Sequence, residues 1–442
     1  MNQSTTLTRR RLLHDAASSL IAAPFVTTGL RAASPNGKLR HASFGAAGMA
    51  GSDWNQFSRH PMFELVAVCD VDTRKFDAVK KRWPEARMYQ DWRELLEKEA
   101  DKIDSVNIGT PDHMHGAIGI AAMKLGKHLY GQKPLAHNLW ECRQMMLTAR
   151  EKGVMTQMGI QVSSDFSERL AVALIHEGAI GKVKEVHTYS NKKWGDMETR
   201  PQKSDPIPPE FNWDLWLGVA KERSYIAGYD HPSNWRKRRD FGTGTLGDMG
   251  CHMFSGWFRS LALAAPISVK STGSVPNADN WAVNGRVEYQ FKGTQHTDSD
   301  QVTVTWYDGD HQPPAEIIAR SGGKFTGQGS IYIGTDGVLL HAHQQTPRLF
   351  PTDQFTGRKY PKLEPRDHWF EFIDACLKGG EKPSANFDYA GPLTEAVILG
   401  CLASDFPNET LLWDSPGLKI PNSEAADRHV RRDYRAGWEI KA

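Results

Sequence analysis

Asp248 and His252 lie four residues apart in the run Gly247-Asp248-Met249-Gly250-Cys251-His252. Met253, Phe254, Trp257 and Phe258 continue a helical pattern, so both polar groups fall on one helical face. Glycines just before that face would let a ligand approach the backbone. Oxidation of an alcohol needs a base of near-neutral pKa that takes the hydroxyl proton while hydride leaves carbon. Histidine supplies such a base without perturbation. Asp248 would orient either a substrate hydroxyl or the imidazole. Lys133, in Gly131-Gln132-Lys133-Pro134, would polarise the reacting oxygen and lower the alcohol's pKa. Lys133, Asp248 and His252 are therefore the candidate catalytic residues, although an Asp/His pair on its own reads first as structural. His113 and His115 have no acidic or cysteine partner at ligand spacing, so no metal site is expected.

Lys133 needs a strand end to stand on, and the first part of the chain offers a series of them. The strand Leu39 to Phe44 runs at once into Gly45-Ala46-Ala47-Gly48-Met49-Ala50-Gly51. A helix through Trp54 and Phe57 follows, then the strand Phe63 to Cys69, which ends in Asp70. This is the setting of a dinucleotide-binding turn. Small residues let the backbone approach a pyrophosphate that rests on the helix N-terminus. Gly45, Ala47, Gly48 and Met49 are the turn residues expected there. In the G-x-G-x-x-G frame from Gly45, the second and third glycines are replaced by Ala47 and Ala50. A Cβ therefore sits where the phosphates come closest. Asp70, 25 positions after Gly45, would accept hydrogen bonds from the adenosine ribose and favour NAD. Arg74, one short turn on, would favour NADP, and both cofactors stay open. Further on, Trp92 to Glu99 reads as a helix, Ser105 to Gly109 as a buried strand, Ala117 to Leu125 as a helix and Lys127 to Tyr130 as a strand. This alternation predicts a Rossmann parallel sheet over residues 38–158. Asp70, Thr110, His115 and Lys133 fall at carboxyl ends of its strands, where such sheets bind ligands.

After Met158 the pattern changes, and residues 159–442 read as a second domain. Glu168 to Glu177 is an amphipathic helix. Strand-like alternation recurs at Val183 to Tyr189, Ile267 to Thr272, Arg286 to Phe291, Val302 to Trp306 and Ser330 to Gly334, with a turn at Asp336-Gly337 before Val338 to Leu340. Few helices intervene, so the sheet is expected to be open and mostly antiparallel. The fold class is thus α/β plus α+β. Residues 192–210, rich in Pro and Lys, form a long loop of the kind that serves as a lid. Trp194, Trp213, Trp216 and Trp235 fall in or near loops, where flat rings suit the C–H faces of sugars; core packing is expected for at least half of them. The basic run Arg236-Lys237-Arg238-Arg239 beside Trp235 suits an anion or sugar contact as well as a solvated face. Gln161, Trp235 and Arg236, with Asp248 and His252, are the candidate substrate-binding residues.

The chain has 442 residues, 39% hydrophobic and 24% charged, which suits a globular protein with two cores. A net charge of +2 gives no global field for nucleic acid or an anionic membrane. Its five cysteines are odd in number and scattered, so neither a disulfide framework nor a structural zinc is expected. Residues 1–35 read as a processing segment. Arg9-Arg10-Arg11-Leu12-Leu13 precedes a mildly apolar stretch from Ala16 to Leu30, broken by Pro24, which is too short and polar to span a bilayer. This segment resembles a twin-arginine signal peptide, which implies export of the folded protein to the periplasm or beyond.

Three separated runs resemble the Gfo/Idh/MocA family, the relatives of glucose–fructose oxidoreductase and inositol dehydrogenase. They are Thr110-Pro111-Asp112-His113 with His115, Gly126-Lys127-His128 and Lys133-Pro134-Leu135; Gly242 to His252; and Asn386 to Ala396. The family's usual E-K-P reads Gln132-Lys133-Pro134 here, which keeps shape and hydrogen bonding but drops a charge. The resemblance implies an NAD(P)-dependent oxidoreductase that moves hydride at a secondary hydroxyl of a sugar, glycoside or polyol. It implies that Thr110, Pro111, His113, His115, Gln132 and Lys133 contact the cofactor, and that the chain forms a homodimer or homotetramer. Export implies a tightly held cofactor, because free NAD(P) is scarce outside the cytoplasm. Two alternatives stay open: a redox-neutral, NAD-dependent glycoside hydrolase working through a transient ketone, and a non-catalytic sugar or dinucleotide sensor. An intact Lys133, Asp248 and His252 set speaks against the sensor.

Overall fold

Glycines and alanines decide how closely the first elements approach each other. In the computed structural model, which describes residues 37–441, β1 (Leu39–Phe44) runs into Gly45 at a φ of 111°. Only glycine adopts that backbone without strain. A Cβ at Gly45 would also meet the Ala50 Cβ at 2.6 Å. Helix α1 (Gly48–Phe57) starts directly after the turn. Its first turn presses on the end of a neighbouring strand: a Cβ on Gly109 would meet the Ala50 nitrogen and Cβ at 2.7 Å. The chain continues as β2 (Phe63–Cys69), α2 (Phe76–Arg82), β3 (Arg87–Tyr89), α3 (Trp92–Glu99), β4 (Ser105–Ile108), α4 (His115–Lys124), β5 (His128–Gly131), α5 (Leu139–Lys152) and β6 (Thr156–Met158).

The six strands form one parallel sheet in the order β3-β2-β1-β4-β5-β6. Strand order reverses between β1 and β4, which opens a crevice outside the carboxyl ends there. Phe44 pairs with both Cys69 and Ile108, so Gly45, Asp70 and Gly109 leave the sheet at one level. The expected Rossmann sheet is present.

The second half comprises α6 (Phe166–His176), β7 (Val183–Ser190), α7 (Trp213–Leu217), α8 (Gly244–Ser260), β8 (Pro266–Ser271), β9 (Arg286–Lys292), β10 (Gln301–Asp308), α9 (Ala315–Arg320), β11 (Gln328–Gly334), β12 (Val338–Ala342), β13 (Arg348–Phe350), α10 (His368–Lys378), α11 (Phe387–Ala403), β14 (Thr410–Leu412) and α12 (Glu424–Asp427). Its eight-stranded sheet runs β13-β12-β11-β7-β10-β9-β8-β14. All pairings are antiparallel except β7 with β10, which makes the sheet mixed. Among the described residues no helix is long and apolar enough to cross a membrane. Cys69, Cys142, Cys251 and Cys401 are buried free thiols. The paired-arginine segment in residues 1–35 lies outside the described residues.

Two features bind the halves together. A single buried apolar cluster runs from Phe44 and Ile108 through Met145 of α5 and Leu393 and Val397 of α11 to Phe254, Trp257 and Trp306. Lining the same crevice, the segment between β7 and α8 folds back onto the first half. Asp72 and Phe211 form an antiparallel bridge, Thr73 N–H donates to the Glu210 carbonyl at 3.0 Å, and Asn212 N–H donates to the Val71 carbonyl at 2.9 Å. Phe211, Trp213, Trp216 and Phe241 give this segment its own small core.

Because Gly109 faces backbone rather than a movable side-chain tip, Gly109→Val is expected to lower stability by about 1–3 kcal/mol, the usual cost of overpacking. The midpoint of denaturant unfolding measures this, and an unchanged midpoint would contradict the packing described.

Candidate active site

The glycine turn, the ends of β2, β4 and β5, and the segment before α8 surround one crevice of about 490 Å³. Gly45, Ala47, Gly48 and Met49 line it. Helix α1 has no acidic residue in its first turn and no side-chain cap, and the space beside Gly48 is open. Its N-terminal N–H groups therefore suit the phosphates of a dinucleotide. Asp70 also lines the crevice. Its carboxylate accepts the Ala46 N–H at 2.9 Å and the Asp72 N–H at 3.0 Å. A carboxylate has lone pairs beyond these two for ribose hydroxyls. Burial pushes the Asp70 carboxyl up, and the two backbone donors oppose this.

Arg74 does not face the crevice. Its guanidinium grips the buried Asp72 through Nε and Nη2 at 2.7 and 2.8 Å. Lys75 lines the crevice instead, so the expectation that Arg74 would meet a 2′-phosphate is corrected. Thr110, Pro111 and His115 lie on the wall. The His115 ring is pinned between the carbonyls of Pro134 and Thr110, at 2.8 and 2.9 Å. His113 is not on that wall. It is wholly buried, with Nε2 at 3.1 Å from the Trp216 carbonyl and its ring against Phe241. Burial pushes its pKa down to about 3. His113 thus fastens the β4 turn to the Trp216 segment.

At the end of β5, Gln132 and Lys133 enter the crevice wall. The Lys133 ammonium donates to Asp248 Oδ1 at 2.8 Å and to the Asp248 carbonyl at 2.7 Å. Arg236 Nε donates to the same Asp248 oxygen at 3.1 Å. The Arg236 guanidinium is stacked beside Trp235 and Trp194, 4.3 and 5.4 Å from their ring centres. Burial alone would push the Asp248 carboxyl up, but Lys133 and Arg236 together hold it down to about 2. Thr243 Oγ1 donates to the buried Asp112 at 2.7 Å, which ties the start of α8 to the turn after β4.

His252 sits one helical turn beyond Asp248, yet no hydrogen bond joins the two. Its ring centre is 5.8 Å from that of His343. Among the described residues His252 Nδ1 has no hydrogen-bond partner. Burial, then the nearby Lys133 and His343, push its pKa well below the usual histidine value, while Asp248 pulls the other way. The expectation of an unperturbed imidazole is therefore corrected: His252 is neutral across the neutral pH range. Gln161, in the 3-10 turn Gln161–Ser163 after β6, and His252 are both off the crevice wall, whereas Trp235, Arg236 and Asp248 are on it. Trp213 and Trp216 stack on each other, 4.8 Å apart, inside the aromatic core. Sequence reasoning passed over Lys75, Trp92, His231 and His343. The first three line the crevice, and only their place on its rim marks them.

Residues 39–160 match the oxidoreductase family with an NAD-binding Rossmann fold, and residues 180–440 match its C-terminal alpha/beta domain. Over 157 residues the chain is 31% identical to the 1-carboxy-3-chloro-3,4-dihydroxycyclohexa-1,5-diene dehydrogenase of Comamonas testosteroni, covering 36% of this chain and 37% of that one. Over 137 residues it is 31% identical to an alpha-N-acetylgalactosaminidase of Shewanella oneidensis, covering 29% of each. The chain thus matches only 29–37% of the length of these curated relatives. The WlbA dehydrogenase of Bordetella pertussis, solved in complex with NADH and UDP-GlcNAcA, shares the fold with a TM-score of 0.61 at 16% identity, over 85% of this chain and 99% of that one.

Asp248→Ala would strand Lys133 and Arg236 without their shared anion. It is expected to cost about 3–5 kcal/mol, as for other broken buried pairs, read from denaturant unfolding. The pH dependence has a definite sign. With its folded pKa below the ordinary 3.8, Asp248 stabilises the protein fully above that pH and loses this contribution as pH falls towards about 2.

Proposed function

Because the chain belongs to the Gfo/Idh/MocA oxidoreductase family, we propose that it moves hydride at a secondary hydroxyl carbon of a sugar, glycoside or polyol, with its dinucleotide retained between turnovers. The observation that carries this reading is the Lys133–Asp248 contact of 2.8 Å, at the carboxyl end of β5 on the wall of the dinucleotide crevice. NAD, when bound, supplies the hydride acceptor. Lys133 hydrogen-bonds the substrate oxygen and stabilises negative charge on it as the proton leaves. Asp248 holds the lysine in place. His252, neutral through burial, is the group free to accept the hydroxyl proton.

Retention is supported by the segment before α8. Trp216, His231 and Pro232 line the same crevice as the glycine turn, and backbone hydrogen bonds join the segment to the loop after β2. A retained cofactor also fits the paired arginines of residues 9–11 and export by the twin-arginine route. The Shewanella relative favours a second reading, redox-neutral glycoside hydrolysis. There a hydroxyl carbon is oxidised, the neighbouring acidified C–H is deprotonated, the aglycone leaves, water adds and the ketone is reduced back.

Purified protein, denatured and extracted, is expected to release NAD(H) in roughly one-to-one amounts, as detected by mass spectrometry; nucleotide-free protein would contradict retention. Steady NADH formation with a free sugar or inositol selects the dehydrogenase, and cleavage of an aryl glycoside without added NAD selects the hydrolase. His252→Ala is expected to lower either rate by about 10²–10⁴-fold, the range of general-base catalysis. An unchanged rate would remove His252 as the base. Because its pKa is depressed, the acid limb of the rate profile is expected below pH 6.5.

A further inference from the structure

Asp53 lies on α1 with no exposed surface, and both of its carboxylate oxygens are engaged. Oδ2 accepts from Gln132 Nε2 at 2.7 Å, and Oδ1 accepts from Trp369 Nε1 at 3.1 Å. One carboxylate therefore fastens three elements. The first is the helix whose N-terminus faces the phosphate end of the crevice. The second is the end of β5, where Gln132 directly precedes Lys133. The third is α10 of the second half, which Trp369 helps to begin. Gln132 is confined from its other side as well, since a Cβ on Gly159 would meet its amide at 2.7–2.8 Å. Burial pushes the Asp53 carboxyl up to about 7, against the hydrogen bonds from Gln132 and Trp369. A core built for stability alone would fill such a place with apolar side chains of the same shape.

We propose that Asp53 is a positioning residue for the cofactor site. Acting through Gln132, it sets the end of β5 against the N-terminus of α1, so that the phosphate grip and the placement of Lys133 depend on one junction. The proposal rests on reading the crevice as a dinucleotide site, and it does not depend on which substrate is used. The junction also explains why position 132 carries an amide. A glutamate there would place two buried carboxylates at hydrogen-bond distance, and one would have to take up a proton. The polarity can, however, be reversed. In D53N/Q132E, the asparagine amide nitrogen donates to the carboxylate introduced at position 132, and its oxygen accepts from Trp369.

The test compares wild type, Q132E, D53N and D53N/Q132E, stripped of nucleotide, by NADH fluorescence titration alongside thermal melting. Q132E is expected to weaken NADH binding about tenfold or more, the worth of one charged hydrogen bond, and the double variant to return within about threefold of wild type. If Q132E does not fold, D53N is expected to bind NADH more weakly than the double variant. Q132E that melts and binds like wild type would overturn the proposal. So would a double variant that recovers melting but not binding, or a D53N variant with the affinity of the double. Wild-type protein that binds no NADH would overturn the dinucleotide reading itself, and this proposal with it.

Discussion

The structure turns on an ion pair whose partners come from different halves of the chain. Lys133 stands at the end of a Rossmann strand, and Asp248 on a helix packed against the second sheet. Taking both charges out of water is costly unless geometry and further hydrogen bonds repay it. Here the lysine reaches both the carboxylate and the backbone carbonyl of Asp248, and Arg236 supplies a second cation braced on two tryptophans. Such a pair survives only if the two halves keep a fixed relation. The continuous apolar cluster through α5, α8 and α11 provides that relation. The crevice is then a consequence of the same constraint, because it lies where the Lys133 strand end meets the segment leading into α8.

That segment does two jobs with one set of residues. Its aromatic core lets a long irregular stretch hold its shape without a sheet or long helix of its own, and its backbone hydrogen bonds to the loop after β2 hold it at the crevice wall. His113 and Asp112 bind the same region from below, through the Trp216 carbonyl and Thr243. His113, which reads as a ligand contact in the sequence, thus acts as a fastener in the fold. A polar group next to a binding turn can face the ligand or brace the wall behind it, and burial separates the two cases.

The same distinction explains the other departures. Arg74 follows an acid at the tip of β2 and so reads as a phosphate contact, but Asp72 lies closer and captures it in a two-point ion pair. Asp248 and His252 share a helical face, yet Lys133 and Arg236 claim the carboxylate, and the imidazole lies beside His343, just past β12. In each case a helical or turn spacing identified neighbours correctly, while a partner distant in sequence decided the contact. Asp53 is the clearest example, since nothing around it in the sequence points to Gln132, 79 residues on, or to Trp369.

Local pattern was enough for the parallel sheet, the turn at Gly45, the acid at Asp70 and most strands of the second sheet. Periodicity, glycine placement and strand-end chemistry are properties of short segments, and a segment carries them wherever it folds. The single parallel pairing of β7 with β10, the short edge strands β13 and β14, and the helices α5, α10 and α11 did not emerge, because their faces are covered by elements far away in the chain. Lys133, Asp248 and His252 were recognisable by residue type and by resemblance to a family. The tertiary structure alone decided that the first two form an ion pair, that the third is held neutral, and that Asp53 stands behind Gln132. Desolvation and long-range hydrogen bonds set those states, and both depend on which surfaces meet after the chain has folded.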